Sequence, residues 1–293
     1  MKIALYGRNI NEDHLPFMHQ LIACLDQKPV LVSIYQPFLS HLQQSFGLNL
    51  PYSSFADAQE LDADTDCLFS LGGDGAILDT ILLVQDKGIP VLGINFGRLG
   101  FLSSVQHADV NWAINAMIEK KYSIDKRTLL QVHSPASIFD HNHHIALNDV
   151  TILKKDSSSM IQIHTWVNHD FFNTYWADGL IIATPTGSTG YSMSCNGPII
   201  MPDTPSLALT PIAPHNLTMR PVIISDTTEI KLKVESRDST YLLSLDSRNY
   251  SLSHADEIVI RKCPFQINFI KLHGMSHIQS LRNKLLWGVD KRN

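Results

Sequence analysis

The sequence predicts an α/β domain followed by an all-β domain, and two observations carry this prediction. Over residues 1–125, short apolar segments alternate with segments of helical spacing, a pattern typical of βαβ units and a mainly parallel sheet. From residue 126 onward, short segments of alternating polarity take over, as expected for antiparallel strands. The chain has 293 residues, of which 44% are hydrophobic, and this is enough to fill two cores.

Strands and helices follow one another through the first domain. The predicted strands read KIALYG, PVLVSIY, CLFSL and PVLGIN, and the segment AILDTILLVQDKG between the last two has helical spacing. Two further helices carry apolar residues on one face: Leu15, Met18, Leu21, Ile22 and Leu25 in the first, and Val110, Ile114, Met117 and Ile118 in a helix over 107–119. Strands separated by helices pair in parallel, so residues 1–125 are predicted to form one α/β domain.

The second domain, predicted over residues 126–272, is built from short strands. They include HIALNDVTIL, MIQIHTWVN, GLIIAT, PVIIS, EIKLKVE, YLLSLD, EIVIRK and FQINFIKL. The last segment, 273–293, returns to helical spacing through Ile278, Leu281, Leu285 and Leu286, with Ser276 as the predicted N-cap. A single helix after a β domain must bury its apolar stripe, and we expect it to pack back on the first domain.

Charge and composition narrow the range of partners. The formal net charge of −5 and the lack of a basic stripe argue against a nucleic-acid partner. No apolar run approaches the roughly 18–20 residues of a spanning helix, so we expect no membrane partner and a cytoplasmic location. The four cysteines contain no C-x-x-C pair and are expected to be reduced. The segment DHNHH at 140–144 is expected to form a solvated turn, and no metal ligand is assigned.

A glycine-rich turn follows the apolar strand CLFSL and contains Gly72, Gly73, Asp74 and Gly75. Glycines at a strand-to-helix turn let backbone N–H groups approach a ligand closely, and a helix N-terminus favours an anion such as phosphate. No Gly-Lys-Ser/Thr follows, so the turn is not a Walker A loop. A carboxylate would repel a neighbouring anion, so its presence indicates a chemical role. Two roles fit: accepting the proton of an attacking hydroxyl, or helping to hold Mg²⁺. The alternative is a plain turn in which Asp74 caps the helix.

Three further segments predict a polar ligand. The loop TPTGSTGYS (184–192) offers several hydroxyl donors to phosphate or ribose, with Asp178 before its strand and Tyr191 and Ser194 near its end. In ALNDV (146–150), the Asn side chain can read an adenine edge and the Asp can accept ribose hydroxyls. In GINFGRLGFLS (93–103), Phe101 can stack on a flat ring.

Taken in order and spacing, GGDG, GINFGRLGFLS, ALNDV, DGLIIATPTGSTGYS, PIAPHNLTMRPVI and LRNKLLWGVDKR resemble the bacterial NAD kinase family. The likeness covers nearly the whole chain after residue 67. GGDG alone is shared with diacylglycerol kinases, whereas its combination with NDV and the hydroxyl-rich loop is far more specific. The resemblance implies a Rossmann-like parallel-sheet domain, a β-sandwich domain that binds NAD, and an active site between them. It also implies homo-oligomers, dimers or tetramers, in which a neighbouring subunit completes the nucleotide site.

The resemblance also implies roles for individual residues. Asp74 would be the base that activates the adenosine 2′-hydroxyl of NAD for attack on the γ-phosphate of ATP, with Mg²⁺ as the divalent cofactor. Gly72, Gly73 and Arg98 would bind phosphate. The remaining expected contacts to NAD or ATP are Gly75, Phe101, Asn148, Asp149, Asp178, Thr186, Ser188, Thr189, Gly190, Tyr191 and Ser194.

The chain departs from the family pattern at three places. Ala76 stands where threonine is usual, and the turn of Asp246, Ser247 and Arg248 replaces the sequence DGQ. Trp176 stands where many members have a basic residue, so the product's 2′-phosphate would be read by another arginine. The candidates are Arg98, Arg220 and Arg248.

Two other functions compete with this one. A lipid kinase of the same superfamily would need a membrane-facing patch, and the sequence shows no obvious one. A nucleotide-binding sensor without catalysis would be consistent with Ala76, but the retained Asp74 argues against it.

Overall fold

The computed structural model describes residues 1–97, 100–103, 105–135, 138–139, 144–155, 159–237, 240–274 and 276–287. The chain divides into two compact units. Unit 1 comprises residues 1–125 and 267–293, and unit 2 comprises residues 126–266. Among the described residues, none of the helices combines the length and apolar composition that crossing a bilayer would require.

Unit 1 alternates strands and helices along the chain. Its elements are β1 (Lys2–Gly7), α1 (Leu15–Asp26), β2 (Leu31–Tyr35), α2 (Gln36–Phe46), β3 (Ser53–Phe55), β4 (Cys67–Leu71), α3 (Asp74–Val84), β5 (Val91–Asn95), β6 (Val105–Gln106) and α4 (Val110–Ile118). The sequence pattern missed α2 and β3. In α2, Phe38 and Leu42 are buried, and Leu39 and Phe46 pack against the same core.

The sheet of unit 1 is parallel, with strand order β5-β4-β1-β2-β3 and β6 beside β5. The chain therefore builds β2 and β3 to one side of β1, then crosses over and adds β4 and β5 on the other. Gly7 at the end of β1 lies opposite Leu71 at the end of β4. Consequently the loops that leave these two neighbouring strands start at the same edge of the sheet.

Unit 2 consists mostly of strands. The strands are β7 (Tyr122–Ser134), β8 (Ile145–Ala146), β9 (Asp149–Leu153), β10 (Ile161–Val167), β11 (Asp170–Ala177), β12 (Gly179–Ala183), β13 (Ser206–Ile212), β14 (Val222–Ser225), β15 (Ile230–Glu235), β16 (Thr240–Leu245), β17 (Arg248–Ser253) and β18 (Glu257–Leu272). The short helix α5 (Tyr191–Ser194) lies between β12 and β13 in the chain. Both β7 and β18 begin in one unit and end in the other. The single predicted segment HIALNDVTIL is in fact two strands, β8 and β9, separated by Leu147 and Asn148.

Two antiparallel sheets enclose the core of unit 2. One has the order β14-β13-β12-β9-β16-β17, and the other includes β11, β10, β15 and β18. Side chains from both sheets, such as Ile152, Leu243 and Leu232, belong to one buried cluster. This two-sheet packing is a β-sandwich, and it explains the alternating polarity of the strands.

The C-terminal segment belongs to unit 1. The end of β18 lies beside β5, with Phe269 opposite Val91, and the Asn268 amide donates to the Gly88 carbonyl over 2.9 Å. Helix α6 (His277–Leu285) follows, with Ser276 at its N-cap position. The predicted fold class is therefore confirmed: a parallel-sheet α/β part, an antiparallel β part, and a terminal helix that returns to the first. The predicted stripe on α6 is only partly buried, because Leu281 is 3% exposed whereas Ile278 is 59% exposed.

This contrast predicts a large difference between two equivalent truncations on α6. Leu281→Ala should lower the free energy of unfolding by roughly 2–4 kcal/mol, because it leaves a cavity under the helix. Ile278→Ala should change it by less than about 0.5 kcal/mol, because that side chain is exposed. Urea unfolding followed by tryptophan fluorescence measures both values. Similar losses for the two variants would mean that α6 is not anchored through Leu281.

Candidate active site

Asp74 is the first residue of α3, directly after the glycine turn that ends β4. Gly73 occupies the N-cap position, and the Gly72 N–H donates to the Ile94 carbonyl over 2.9 Å. The alternative in which Asp74 caps the helix is therefore wrong. The turn presents the first backbone N–H groups of α3, which have no acceptor within the helix.

The Asp74 carboxylate is held by the loop that follows β5. Its Oδ2 accepts a hydrogen bond from the Phe101 N–H at 2.7 Å, and its Oδ1 accepts from the N–H groups of Leu102 and Ser103 at 3.2 and 3.0 Å. The Ser103 hydroxyl also donates to Oδ1 at 3.1 Å. A Cβ built on Gly100 would lie 1.6 Å from Oδ1, so only glycine lets the loop come this close. Four donors thus fix the orientation of the carboxylate.

Side chains around this loop show contacts that the sequence pattern did not reveal. The Lys284 ammonium of α6 lies 4.5 Å from the centroid of the Phe101 ring, on which a flat ligand ring was expected to stack. Ala76, in the family's threonine position, is 3% exposed. Arg98, a predicted phosphate ligand, lies outside the described residues.

An arginine that the sequence analysis did not identify lies beside the glycine turn. Arg8 follows β1, and its Nη2 donates to the Gly75 carbonyl at 3.1 Å. Its guanidinium also forms two hydrogen bonds with Asp79, at 2.5 and 2.9 Å, and the Tyr6 hydroxyl donates to the same carboxylate at 2.7 Å. The available sequence signal was a charged residue immediately after a parallel strand.

In unit 2, the predicted pair Asn148 and Asp149 is positioned by a buried carboxylate from a distant turn. Asp246 accepts hydrogen bonds from the backbone N–H groups of Leu147, Asn148 and Asp149, at 3.0, 2.7 and 3.3 Å. Burial raises the pKa of Asp246, and these backbone bonds oppose that rise. The turn that departs from the family pattern therefore keeps an Asp that shapes the NDV segment.

The hydroxyl-rich loop packs directly on this segment. The Thr184 N–H donates to the Asn148 carbonyl at 2.9 Å, and the Thr184 hydroxyl donates to the Leu147 carbonyl at 2.5 Å. A Cβ on Gly187 would lie 2.0 Å from the Asn148 carbonyl oxygen, so glycine is required here. The structure thus brings the predicted segments ALNDV and TPTGSTGYS together within unit 2.

The hydroxyls of this loop fall into two groups. Ser188 is fully buried, and its hydroxyl donates to the Pro185 carbonyl at 2.6 Å and accepts from the Ile200 N–H at 2.9 Å. Thr186 accepts from the buried Arg127 at 3.2 Å, an arginine that the sequence analysis missed. These two hydroxyls are thus used in internal contacts of unit 2. The hydroxyl residues Tyr191 and Ser194 are exposed and Thr189 is half-buried, and Gly190 beside them is exposed.

The remaining predicted residues of unit 2 also have partners. Asp178 forms an ion pair with Lys154 at 2.6 Å. The Arg248 guanidinium donates to the Ile145 carbonyl, and Arg220 donates to the Leu217 carbonyl at 2.8 Å. Trp176 is 51% exposed. Within the described ranges, no group of three or more His, Cys, Asp or Glu side chains is arranged to hold a metal ion.

Comparison with known proteins agrees on one family. Residues 10–122 match the model of the ATP-NAD kinase N-terminal domain, and residues 147–272 match the ATP-NAD kinase C-terminal domain. NAD kinases from Flavobacterium psychrophilum and Christiangramia forsetii are 47% and 45% identical to this chain, each over the full length of both chains.

Two solved structures share the fold. The yeast NADH kinase complexed with NADH has a TM-score of 0.87 at 25% identity, covering 100% of this chain and 89% of that one. An NAD kinase from Archaeoglobus fulgidus in complex with ATP has a TM-score of 0.73 at 24% identity, covering 98% of this chain and 99% of that one. At 24% identity, the similarity to the Archaeoglobus fulgidus structure supports the fold alone.

The buried Asp149 predicts a pH-dependent stability. Burial raises its pKa to about 7, with a smaller contribution from the Asp246 carboxylate, whereas Thr151 donates to it and acts in the opposite direction. Below about pH 4 the Asp149 carboxyl is protonated in both the folded and the unfolded chain. Between about pH 4 and 7 only the unfolded chain releases the proton, so the free energy of unfolding falls as the pH rises. Relative to wild type, Asp149→Asn should gain on the order of 2–4 kcal/mol across this range. Urea unfolding at a series of pH values checks this, and a pH-independent difference would contradict it.

Proposed function

This chain belongs to the NAD kinase family, and we propose that Asp74 is the base of its phosphoryl transfer from ATP to the adenosine 2′-hydroxyl of NAD. The observation that supports this role most directly is the fixed carboxylate at the glycine turn. Among the described residues, Oδ2 of Asp74 accepts a single hydrogen bond, from Phe101. A carboxylate oxygen has more than one lone-pair site, so Oδ2 can also accept the proton of a substrate hydroxyl.

The turn and the start of α3 suit the donor's phosphates. Phosphoryl transfer depends mainly on in-line positioning and on stabilising the charge of the transferred group, so oriented backbone donors can contribute much of the catalysis. The N–H groups at Gly73, Asp74 and Gly75 lie at the positive end of the α3 dipole. Gly72 and Gly73 would let a phosphate approach this backbone closely.

Mg²⁺ is the cofactor we propose. When bound, it would neutralise charge on the donor's phosphates. Mg²⁺ is usually held by substrate phosphates, waters and one or two carboxylates rather than by an all-protein cage. The glycine turn fits this requirement, since the N–H groups at the start of α3 can hold the donor's phosphates, which would in turn hold the ion.

NAD would be held mainly by unit 2. The NDV segment and the loop over 184–192 form one hydrogen-bonded platform, with Asn148 and Asp149 at its centre. Asn148 would read the adenine edge and Asp149 the ribose hydroxyls, while the exposed Tyr191 and Ser194 would surround the adenosine and Asp178 would contact the nicotinamide half. The domain roles inferred from the sequence are part of this proposal.

Homo-oligomerisation is also proposed, because large apolar side chains remain exposed on an edge strand. Strand β11 ends one sheet of unit 2, and its Phe171, Phe172 and Trp176 are 60%, 41% and 51% exposed. A second copy of the chain would cover such a surface. A monomer in sedimentation equilibrium at micromolar concentration would contradict this part of the proposal.

Replacing the proposed base tests the mechanism. Asp74→Asn should lower kcat by about 10²- to 10⁴-fold while NAD and ATP still bind, because the amide cannot accept the proton. NADP formation is followed with an NADP-specific dehydrogenase, and binding is followed by calorimetry. The matched control is Asp86→Asn, an exposed carboxylate in the same unit, which should retain wild-type turnover. Equal turnover in Asp74→Asn and wild type would remove Asp74 from the mechanism, while nucleotide binding without turnover in wild type would favour the sensor.

A further inference from the structure

The crevice between β1 and β4 is the place where the strand order of unit 1 reverses. From β1 the chain adds strands in one direction, and from β4 it adds them in the other. In open parallel sheets, ligands bind outside the carboxyl ends of the strands at such a reversal. The glycine turn leaves β4 on one side of this crevice, and Arg8 leaves β1 on the other.

Arg8 is held in a defined orientation at this crevice. Its Nε and Nη2 bind Asp79 on α3, and Nη2 also reaches the Gly75 carbonyl. The hydrogen bond from Tyr6 fixes the same carboxylate. An arginine bound through one edge of its planar guanidinium loses little further entropy when the other nitrogen takes a ligand.

The remaining nitrogen, Nη1, lies beside the turn and belongs to a side chain that is about half exposed. Within the described part of the chain, Nη1 of Arg8 makes no hydrogen bond, and it lies 3.3 Å from a Cβ built on Gly75. The Arg8 side chain is 55% exposed. An open cleft of about 510 Å³ adjoins it, with Tyr6, Tyr35 and Phe38 among its lining residues. Arg8 therefore borders an open cleft on one side and the glycine turn on the other.

We propose that Arg8 binds the phosphate groups of the phosphoryl donor, with Asp79 as the residue that positions it. The inference rests on the proposed function in taking the donor to be a triphosphate. A planar guanidinium with free N–H groups matches phosphate oxygens. It would add a cationic contact to a turn that has neither a Walker lysine nor a hydroxyl at Ala76.

A purely structural role for Arg8 makes a different prediction. If Arg8 only ties β1 to α3 through Asp79, Arg8→Met and Asp79→Asn break the same contact and should have equal effects on every ligand. If Arg8 binds phosphate, Arg8→Met should lower ligand affinity far more than Asp79→Asn does, and only for ligands that use the donor site.

The experiment measures equilibrium affinities of the full-length protein by calorimetry with Mg²⁺ present. The probes are ATP, inorganic tripolyphosphate and NAD. Arg8→Met should weaken ATP and tripolyphosphate by about 10- to 100-fold, as expected for lost charge-assisted hydrogen bonds, and change NAD affinity by less than about twofold. Asp79→Asn should weaken ATP by no more than about threefold. The melting temperature of Arg8→Met should stay within about 2 °C of wild type, because the ion pair is partly exposed to solvent, with 55% of the Arg8 side chain accessible.

Arg261→Met is the matched control. Its side chain is 54% exposed and pairs with Glu229 in unit 2, so it removes an equivalent exposed, paired arginine and should leave all three affinities unchanged. Three outcomes would each overturn the inference. They are an unaltered ATP affinity in Arg8→Met, equal losses of ATP and NAD affinity in that variant, and a wild-type protein that does not bind tripolyphosphate. Binding is measured without turnover, so a protein that binds ATP but forms no NADP would refute the proposed function while leaving the role of Arg8 to be judged by the affinities.

Discussion

The hydrogen bonds between the Asp74 carboxylate and the backbone of residues 101–103 are the contact on which the candidate active site of unit 1 depends. Phe101, Leu102 and Ser103 lie in the loop after β5, so their N–H groups need acceptors outside a strand ladder. The Asp74 carboxylate accepts from all three and joins this loop to the glycine turn. The glycine turn thereby keeps its shape, and Oδ2 of the same side chain accepts only one hydrogen bond among the described residues.

Unit 2 uses the same device with a different carboxylate. Asp246 accepts three backbone N–H groups from residues 147–149, where the chain passes between β8 and β9. Here the organising side chain and the proposed ligand residues are distinct. Asp149 and Asp246 are both buried and both acidic, and the Asp246 charge contributes to the raised pKa of Asp149. The hydrogen bonds from backbone N–H groups therefore stabilise this platform, whereas electrostatic repulsion between the two carboxylates opposes it.

The sequence predicted those parts of the molecule that depend on local patterns. Alternating polarity located most strands, and the glycines around Asp74 located the turn, because both signals lie within a few residues of each other. It did not predict α2, or the roles of Arg8 and Asp246. Arg8 is 67 residues from Gly75, and Asp246 is 98 residues from Asn148, so these contacts arise only from strand order and packing. The same holds for Lys284 on Phe101, which requires the terminal helix to return to unit 1.

The charges around the glycine turn show how an arginine lies there without pairing with Asp74. A guanidinium close to Asp74 would compete with a substrate hydroxyl for its oxygens. Asp79, one turn further along α3, instead takes two of the donors of Arg8, and among the described residues Asp74 has no ion pair. Neutral N–H and O–H groups donate hydrogen bonds to the Asp74 carboxylate, and they do not neutralise its charge as a paired cation would. If Asp74 is the base and Arg8 binds the donor's phosphates, as proposed, Asp79 keeps the cation apart from the carboxylate that must accept the hydroxyl proton.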